Sequence, residues 1–551
     1  MKPSITLNLG IRFEDHTPFY EENNRVVNFG LYTGAIETVP PAASGFSDRA
    51  LYNNYTGIGD WNPRLGIAWS PHYWGGKTVV RAAYGTSNYR EGGGSNEELS
   101  LNLPYGDVES VYPTGIGSLT AGWPGPPASC VGFSFSCYAG QRLRVYPPDF
   151  RPSLIQQWNL TIEHQFTNAL TLQIGYVGQK GTHLLNFEDL AQWEGLAVQP
   201  NGALGIAQPG QVITKIVPGP YLGSQLPGAT ATNNLGWAEA APYLTGAGAG
   251  TTGALVGANM SNSIQRYDAL QAVLKERGYK GLDGQLAYTF SKCLSNSAGY
   301  FGTGWGSTQA QSSGGQPGWG NIYNPMANYG PCYYDESHII SAYFTYQLPV
   351  GRGKQFGKDM NPVMNQILGN WQLSSIITLH SGNALTLNEF GGWGAYPTGS
   401  NPDLTGGIGP WTLSDLPSCN GPINTVNKFV PYNQAQGIPA HIQWFDTSNI
   451  SNPAANTFGT CGVGNIRGPW LKTLDMSLQK EFFISERKSL QLRLDAFNAF
   501  NSPIWTFSGG PAGGSFDQGQ PSNGVNSQGS LGWITGTQGA RQLQIALKFL
   551  F

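Results

Sequence analysis

The sequence predicts an all-β fold, an antiparallel transmembrane β-barrel with short turns on one rim and long loops on the other. Three observations carry this reading. Charged residues make up only 11% of the 551 positions, less than half the usual share of about 25%, yet no run approaches the roughly 18 apolar residues of a spanning helix. Segments with a period of two recur along the whole chain, apolar on one face and mostly polar on the other. The connections between those segments alternate between short and long, an asymmetry of bacterial outer-membrane barrels. A spanning strand needs about ten residues, apolar towards lipid and polar towards the lumen.

Twelve segments qualify. Ile5, Leu7, Leu9, Ile11 and Phe13 alternate with Thr6, Asn8, Gly10 and Arg12. Leu65, Ile67 and Trp69 form the second, and Val80, Ala82 and Tyr84 the third around Arg81. Trp158, Leu160 and Ile162 precede Leu170, Leu172, Ile174 and Tyr176. Leu270, Ala272 and Leu274 mark the sixth, and Leu286, Tyr288 and Phe290 the seventh. Ile340, Ala342, Phe344 and Tyr346 make the eighth, and Trp371, Leu373, Ile377 and Leu379 the ninth. Leu474, Met476 and Leu478 precede Leu490, Leu492 and Leu494. The twelfth is the end of the chain, where Leu543, Ile545, Leu547, Phe549 and Phe551 alternate with Gln542, Gln544, Ala546, Lys548 and Leu550. Termini usually fray, so an ordered strand stopping on a bare aromatic needs a reason. A membrane strand supplies one, and the edge strand of a soluble sandwich is the competing reading.

Short connections are expected at Pro71–Lys77, Thr167–Asn168, Gly278–Asp283, Pro349–Gly369 and Ile484–Lys488. Long ones are expected at Asp15–Asn62, Ser87–Leu154, Gln179–Tyr267, Cys293–Ser337, Ser381–Leu471 and Asn501–Ala540. Stretches such as Gly246–Gly257 and Gly509–Ser530 are too Gly-, Ser- and Asn-rich for a soluble core. Loops projecting from a barrel tolerate such length and carry ligand contact. With the last strand ending in the periplasm, an even strand count places residue 1 on that side too.

All six cysteines fall in these long loops, two per loop. That even distribution predicts three intraloop disulfides on the oxidised side, Cys130 with Cys137, Cys293 with Cys332 and Cys419 with Cys461. Zinc is the alternative, but no C-x-x-C and no cluster of histidines supports it.

Catalytic chemistry finds no foothold, and no enzyme activity, cofactor or metal site is predicted. His164, His338 and His380 sit at strand positions and read as structural. Asp335-Glu336-Ser337-His338 lies at a loop-to-strand boundary, where hydrogen bonding in the lumen or at the rim is the expected role. Gly246–Gly250 lacks the strand and helix of a nucleotide fingerprint. A formal net charge of −3 without a basic stripe argues against nucleic acid. Arg81, Glu163, Lys275, Asp475, Arg493 and Lys548 are expected to hydrogen-bond across the lumen. Trp61, Trp69, Trp158 and Trp371 are expected in interfacial girdles, with sugar binding an alternative for some loop tryptophans.

Several runs resemble a known family. Trp158-Asn-Leu-Thr-Ile-Glu-His-Gln-Phe166 followed by Gly175-Tyr-Val-Gly-Gln-Lys-Gly-Thr-His-Leu184 is similar to the Oar-like TonB-dependent transporters of acidobacteria and myxobacteria. Leu348-Pro-Val-Gly-Arg-Gly-Lys354, Asn370-Trp-Gln-Leu373, Ser381-Gly382, Gly464-Asn-Ile-Arg-Gly468, Leu494-Asp-Ala-Phe-Asn-Ala-Phe-Asn501 and Arg541–Phe549 continue the likeness. The resemblance implies a receptor in the bacterial outer membrane, with a plug that meets TonB and a barrel of about 22 strands. Residues 1–551 are then expected to be the C-terminal part of such a barrel, with plug and export signal outside this chain. Its expected partners are outer-membrane lipid, an unidentified extracellular ligand, TonB through that plug, and the barrel-assembly machinery. Leu543, Ile545, Leu547, Phe549 and Phe551 would be the assembly signal. Surface adhesion without transport is the alternative function.

Overall fold

The structure, a computed structural model, describes residues 4–29, 36–41, 49–52, 60–72, 75–89, 143–189, 256–296, 324–332, 334–389, 417–435, 440–451, 459–485, 487–507 and 531–551, with a few short pieces between them. Twelve strands form the wall: β1 Ile5–Phe13, β2 Trp61–Trp69, β3 Thr78–Tyr89, β4 Ser153–Gln165, β5 Leu170–Asp189, β6 Val256–Tyr279, β7 Leu282–Ser295, β8 His338–Gln347, β9 Trp371–His380, β10 Leu471–Ser485, β11 Lys488–Phe497 and β12 Gln542–Leu550. Each pairs with the next in chain order, and every pairing along this path is antiparallel. This is the sheet expected from the period-two segments, strand for strand. Among the described residues, β1 and β12 are each paired on one side only. No helix among these residues is long and apolar enough to cross a membrane.

Register sorts the side chains into two faces. Leu160 sits opposite Tyr176, which sits opposite Leu270, which sits opposite Phe290. All four are exposed, as are Leu9, Ile67, Ile174, Leu286 and Ile545 on the same face. Leaving so much apolar area open is costly in water, at about 25 cal/mol per Å², and favourable against lipid. The opposite face carries the polar series. There Arg81 meets Glu163 at 2.8 Å, and Asp495 accepts from Arg493 at 2.9 Å and from Ser477 at 2.6 Å. These contacts link residues on adjacent strands or along one strand, in place of the bonds across the lumen that the sequence predicts. These charges are neutralised by neighbours within the sheet. Lys275 and Lys548 have no ion-pair partner among the described residues.

The turns follow local chemistry. Lys280 and Gly281 have φ of +52° and +85°, a two-residue turn of the primed kind that matches strand twist. A Cβ on Gly281 would stand 2.8 Å from the Gln347 carbonyl, so only glycine fits. The connection after β8 holds a feature the periodicity did not predict, helix α1 at Pro362–Leu368. Asn361 caps it by accepting the Met364 N–H at 2.8 Å, and Pro362 occupies the first turn. The Asn-Pro pair was the available signal, masked by a search for alternation.

Strand ends differ from expectation on the outer rim. β5 and β6 run 20 and 24 residues, well beyond the ten or so that cross a membrane. They keep pairing with each other above it, through Asn259 with Phe187 and Met260 with Asn186. Cys293 consequently lies within β7 rather than in a loop.

Candidate functional site

The described residues of the long loops fold into two packed caps, each with its own core. In the first, Val26, Val39, Tyr52, Leu99, Tyr146, Phe150 and Leu185 are buried together. Tyr52 stacks on Tyr146 at 5.2 Å, and Phe150 meets Tyr146 edge-on at 5.0 Å. Asn28, fully buried, ties the first long loop to the second. Its amide donates to the Leu51 and Tyr146 carbonyls at 2.8 Å each, and its oxygen accepts the Tyr146 N–H at 3.0 Å. Every polar atom of that side chain is thus engaged in the protein, which is what burying an amide requires.

The second cap joins the last two long loops. Thr425–Val430, His441–Phe445, Trp533–Gln538 and Ile504–Phe507 form a four-stranded sheet across both loops. Leu385, Leu387, Phe445, Cys461, Val463, Ile466 and Ile534 are the buried core beneath it. Cys419 is joined to Cys461 within this cap, and Cys293 to Cys332 at its edge. Cys130 and Cys137 lie outside the described residues.

The foot of this cap is bolted to the wall by the runs noted in the sequence. Ile466–Arg467 pairs with Ala384–Leu385. Gly382 lies so close to Gly468 that a Cβ would meet its backbone oxygen, and Gly464, at φ +61°, packs on Pro331. Arg467 reaches the carboxylate of Asp335 at 2.6 Å and its carbonyl at 2.5 Å. Asp335, its side chain 1% exposed, also accepts the Cys293 N–H at 2.7 Å. The Asp335–His338 run therefore serves the rim, as its position suggested. Its other members are engaged too: Glu336 pairs with His380 at 2.9 Å, and His338 bonds Tyr288 at 2.9 Å and stacks on Trp470. His164 bonds Thr78 at 2.7 Å, so the three strand histidines all have partners.

A cavity of about 160 Å³ opens at this junction, lined by Glu336, Ser381, Asn383, Trp470, Ile504 and Trp505 among others. That is below the roughly 300–1,000 Å³ of small-molecule pockets, so it has room for one ring or side chain of a larger ligand. No group of three or more metal-ligating side chains occurs among the described residues. Outside the membrane, the carboxyl of Glu21 in the first cap is held below its usual range, chiefly by the Arg25 N–H and then by Asn23. The Asp446 carboxyl in the second is likewise held down by Ser448. Both carboxylates accept backbone N–H bonds within turns.

Trp61 and Trp69 mark the two ends of β2 on the outer face, and Trp371 begins β9. Trp158 is on the outer face too, in one register row with Gly178, Asp268 and Lys292. It lies inside β4, its ring over Gly178 of β5, where a Cβ would come within 2.3 Å of the indole. At the far end, Leu543, Ile545, Leu547, Phe549 and Phe551 share the outer face, and the last two rings lie 5.9 Å apart. The Leu494–Asn501 run fixes where that strand starts. Asn498 and Asn501, both left-handed, bond to Gly539 and to the Arg541 N–H, and the Asp475 carboxylate accepts the Asn498 N–H.

A family model described as an outer membrane beta barrel domain matches residues 1–544. Among solved structures, the chain is similar to the outer membrane transporter YddB from Escherichia coli, with 7% identity, 89% of this chain and 40% of that one covered, and a TM-score of 0.35. It is also similar to the ferric-catecholate import receptor Fiu from the same species, with 10% identity, coverage of 100% and 42%, and a TM-score of 0.34. The ferripyoverdine receptor of Pseudomonas aeruginosa matches with 8% identity, coverage of 91% and 34%, and the same TM-score. The chain spans about two fifths or less of the length of these proteins. A comparison with curated proteins found no match.

Proposed function

The chain belongs to the outer membrane beta barrel domain family, and on that premise we propose that it forms the wall and ligand-catching caps of a TonB-dependent receptor. Its place is the bacterial outer membrane. The observation that carries the uptake reading is the pair of built caps. Loops spent on two separate cores, with a disulfide inside one cap and another at its edge, present a shaped surface rather than a mobile fringe. A shaped outer surface over a wide wall suits capture of a large or scarce ligand. Coupling to TonB would run through a plug supplied from outside these residues, and the wall would belong to a barrel of about 22 strands. Leu543, Ile545, Leu547, Phe549 and Phe551 are proposed as the segment that the barrel-assembly machinery reads. The second reading, a surface adhesin, is favoured by the same caps if they bind a partner without passing anything inward.

Growth separates the two. Cells lacking the intact gene are grown with iron, glycan or peptide as the single limiting nutrient, beside cells lacking TonB. Uptake predicts a defect on one nutrient that loss of TonB reproduces. A defect in surface attachment, unchanged by nutrient or by TonB, would overturn uptake in favour of adhesion.

A further inference from the structure

Above the apolar band, the outer face of β5, β6 and β7 carries a compact charged cluster. Lys180 is directly opposite Arg266, and Asp268 directly opposite Lys292, in uninterrupted register with the lipid-facing Tyr176, Leu270 and Phe290. All four charged side chains therefore point outward, away from the lumen. Asp268 is already engaged, accepting from Arg266 at 2.7 Å and from the Tyr176 hydroxyl at 2.5 Å. Lys180 and Lys292 are exposed and have no ion-pair partner among the described residues. Three cations against one carboxylate leave the patch net positive by two.

Height identifies what it faces. Lys180 is ten residues along β5 from Leu170 at the turn, and Lys292 is ten along β7 from Leu282. Ten steps of about 3.3 Å, on a strand tilted by about 40°, rise about 25 Å, the height of the outer apolar band. Between the cluster and the level of the last outward charge, Glu276 beside the turn, the outward residues on these three strands are uncharged: Leu172, Ile174 and Tyr176, then Leu270, Ala272 and Leu274, then Leu286, Tyr288 and Phe290. Cations at that level lie among the headgroups of the outer leaflet. Like charges placed directly opposite across a strand pair repel, so Lys180 beside Arg266 costs stability unless an anion sits between them.

We propose that Lys180, Arg266 and Lys292 form a binding site for the phosphate of an outer-leaflet glycolipid, with Asp268 and the Tyr176 hydroxyl orienting the Arg266 guanidinium. The lipid chains would lie down the apolar face beneath, over Tyr176, Leu270 and Phe290. This rests on the outer-membrane location and not on uptake, so it stands whether the caps serve transport or adhesion.

The test is native mass spectrometry of the intact receptor that contains this wall, in detergent, with diphosphoryl lipid A, its dephosphorylated form and inorganic phosphate as probes. The wild-type chain should retain diphosphoryl lipid A, release the dephosphorylated form, and keep its lipid in millimolar phosphate. The K180Q/K292Q pair should bind lipid A about tenfold to thirtyfold more weakly, at about 1 kcal/mol per cation, whereas K180R/K292R should retain it. Equal retention of the dephosphorylated lipid, or unchanged binding by K180Q/K292Q, would overturn the site. Displacement by phosphate at matching concentration would assign it to a free anion and overturn the lipid. The wild-type lipid series decides the matter even if a variant assembles poorly.

Discussion

Asp335 and Arg467 hold the junction on which the second cap depends. Asp335 is buried, and its carboxylate is shared between a guanidinium and a backbone N–H. Removing Arg467 strands a buried charge, which costs about 3–5 kcal/mol in a closed interior. Arg467 is 39% exposed, so screening reduces the expected loss to about 2 kcal/mol. Arg467→Ala should make the loops between β9 and β10 cleave faster in limited proteolysis while the wall stays intact, and D335N/R467A should recover part of the protection. Equal cleavage of wild type and R467A would show that the pair is not a bolt. Sequence alone placed Asp335 at a rim but offered no way to find its partner 132 residues away.

At the scale of elements, the strands were legible and their ends were not. Alternation located all twelve because each has one face in lipid and one in the polar interior, so the pattern is imposed residue by residue. Above the membrane that constraint lapses, and β5 and β6 continue on backbone pairing alone. Helix α1 escaped because a short capped helix leaves no period-two signal. Glycines in strands were equally opaque until paired. Gly178, inside β5, is the floor under the Trp158 indole. Gly178→Leu should destabilise the wall by about 1–3 kcal/mol through overpacking. A lowered heat-modification temperature in gels would register it, and combining it with Trp158→Ala should return part of the loss. No difference between G178L and wild type would mean the indole simply swings into lipid.

For the whole molecule, the two ends of the sheet decide the architecture. Backbone groups left unpaired in hydrocarbon cost several kcal/mol each, and among the described residues β1 and β12 each present one unpaired edge. The proposed wider barrel places further strands between them. Cysteines substituted at Asn8 and Gln544, on the inner faces of β1 and β12, should then fail to cross-link in membranes, whereas closure of these twelve strands on themselves would give an oxidised product. The final strand carries a second expectation. Phe551→Ala should lower insertion of the intact protein severalfold, read as the membrane-inserted fraction, with total expression unchanged. Normal insertion of that variant would remove Phe551 from the assembly signal.

The sequence by itself determined the fold class, the number and identity of the wall strands, the facing of their side chains and the sidedness of the turns. Each of these follows from a solvent that differs on the two faces of one sheet, and that difference is written at every second residue. Only the tertiary structure decided what the loops do. The union of Ser381-Gly382 with Gly464–Gly468, the staple at Asn28 and the four-stranded sheet across two loops join residues far apart in the chain, by backbone approach and hydrogen bonds with no periodic trace. The cluster of Lys180, Arg266 and Lys292 belongs to the same category: three unremarkable charges on separate strands become one patch only when register sets them side by side.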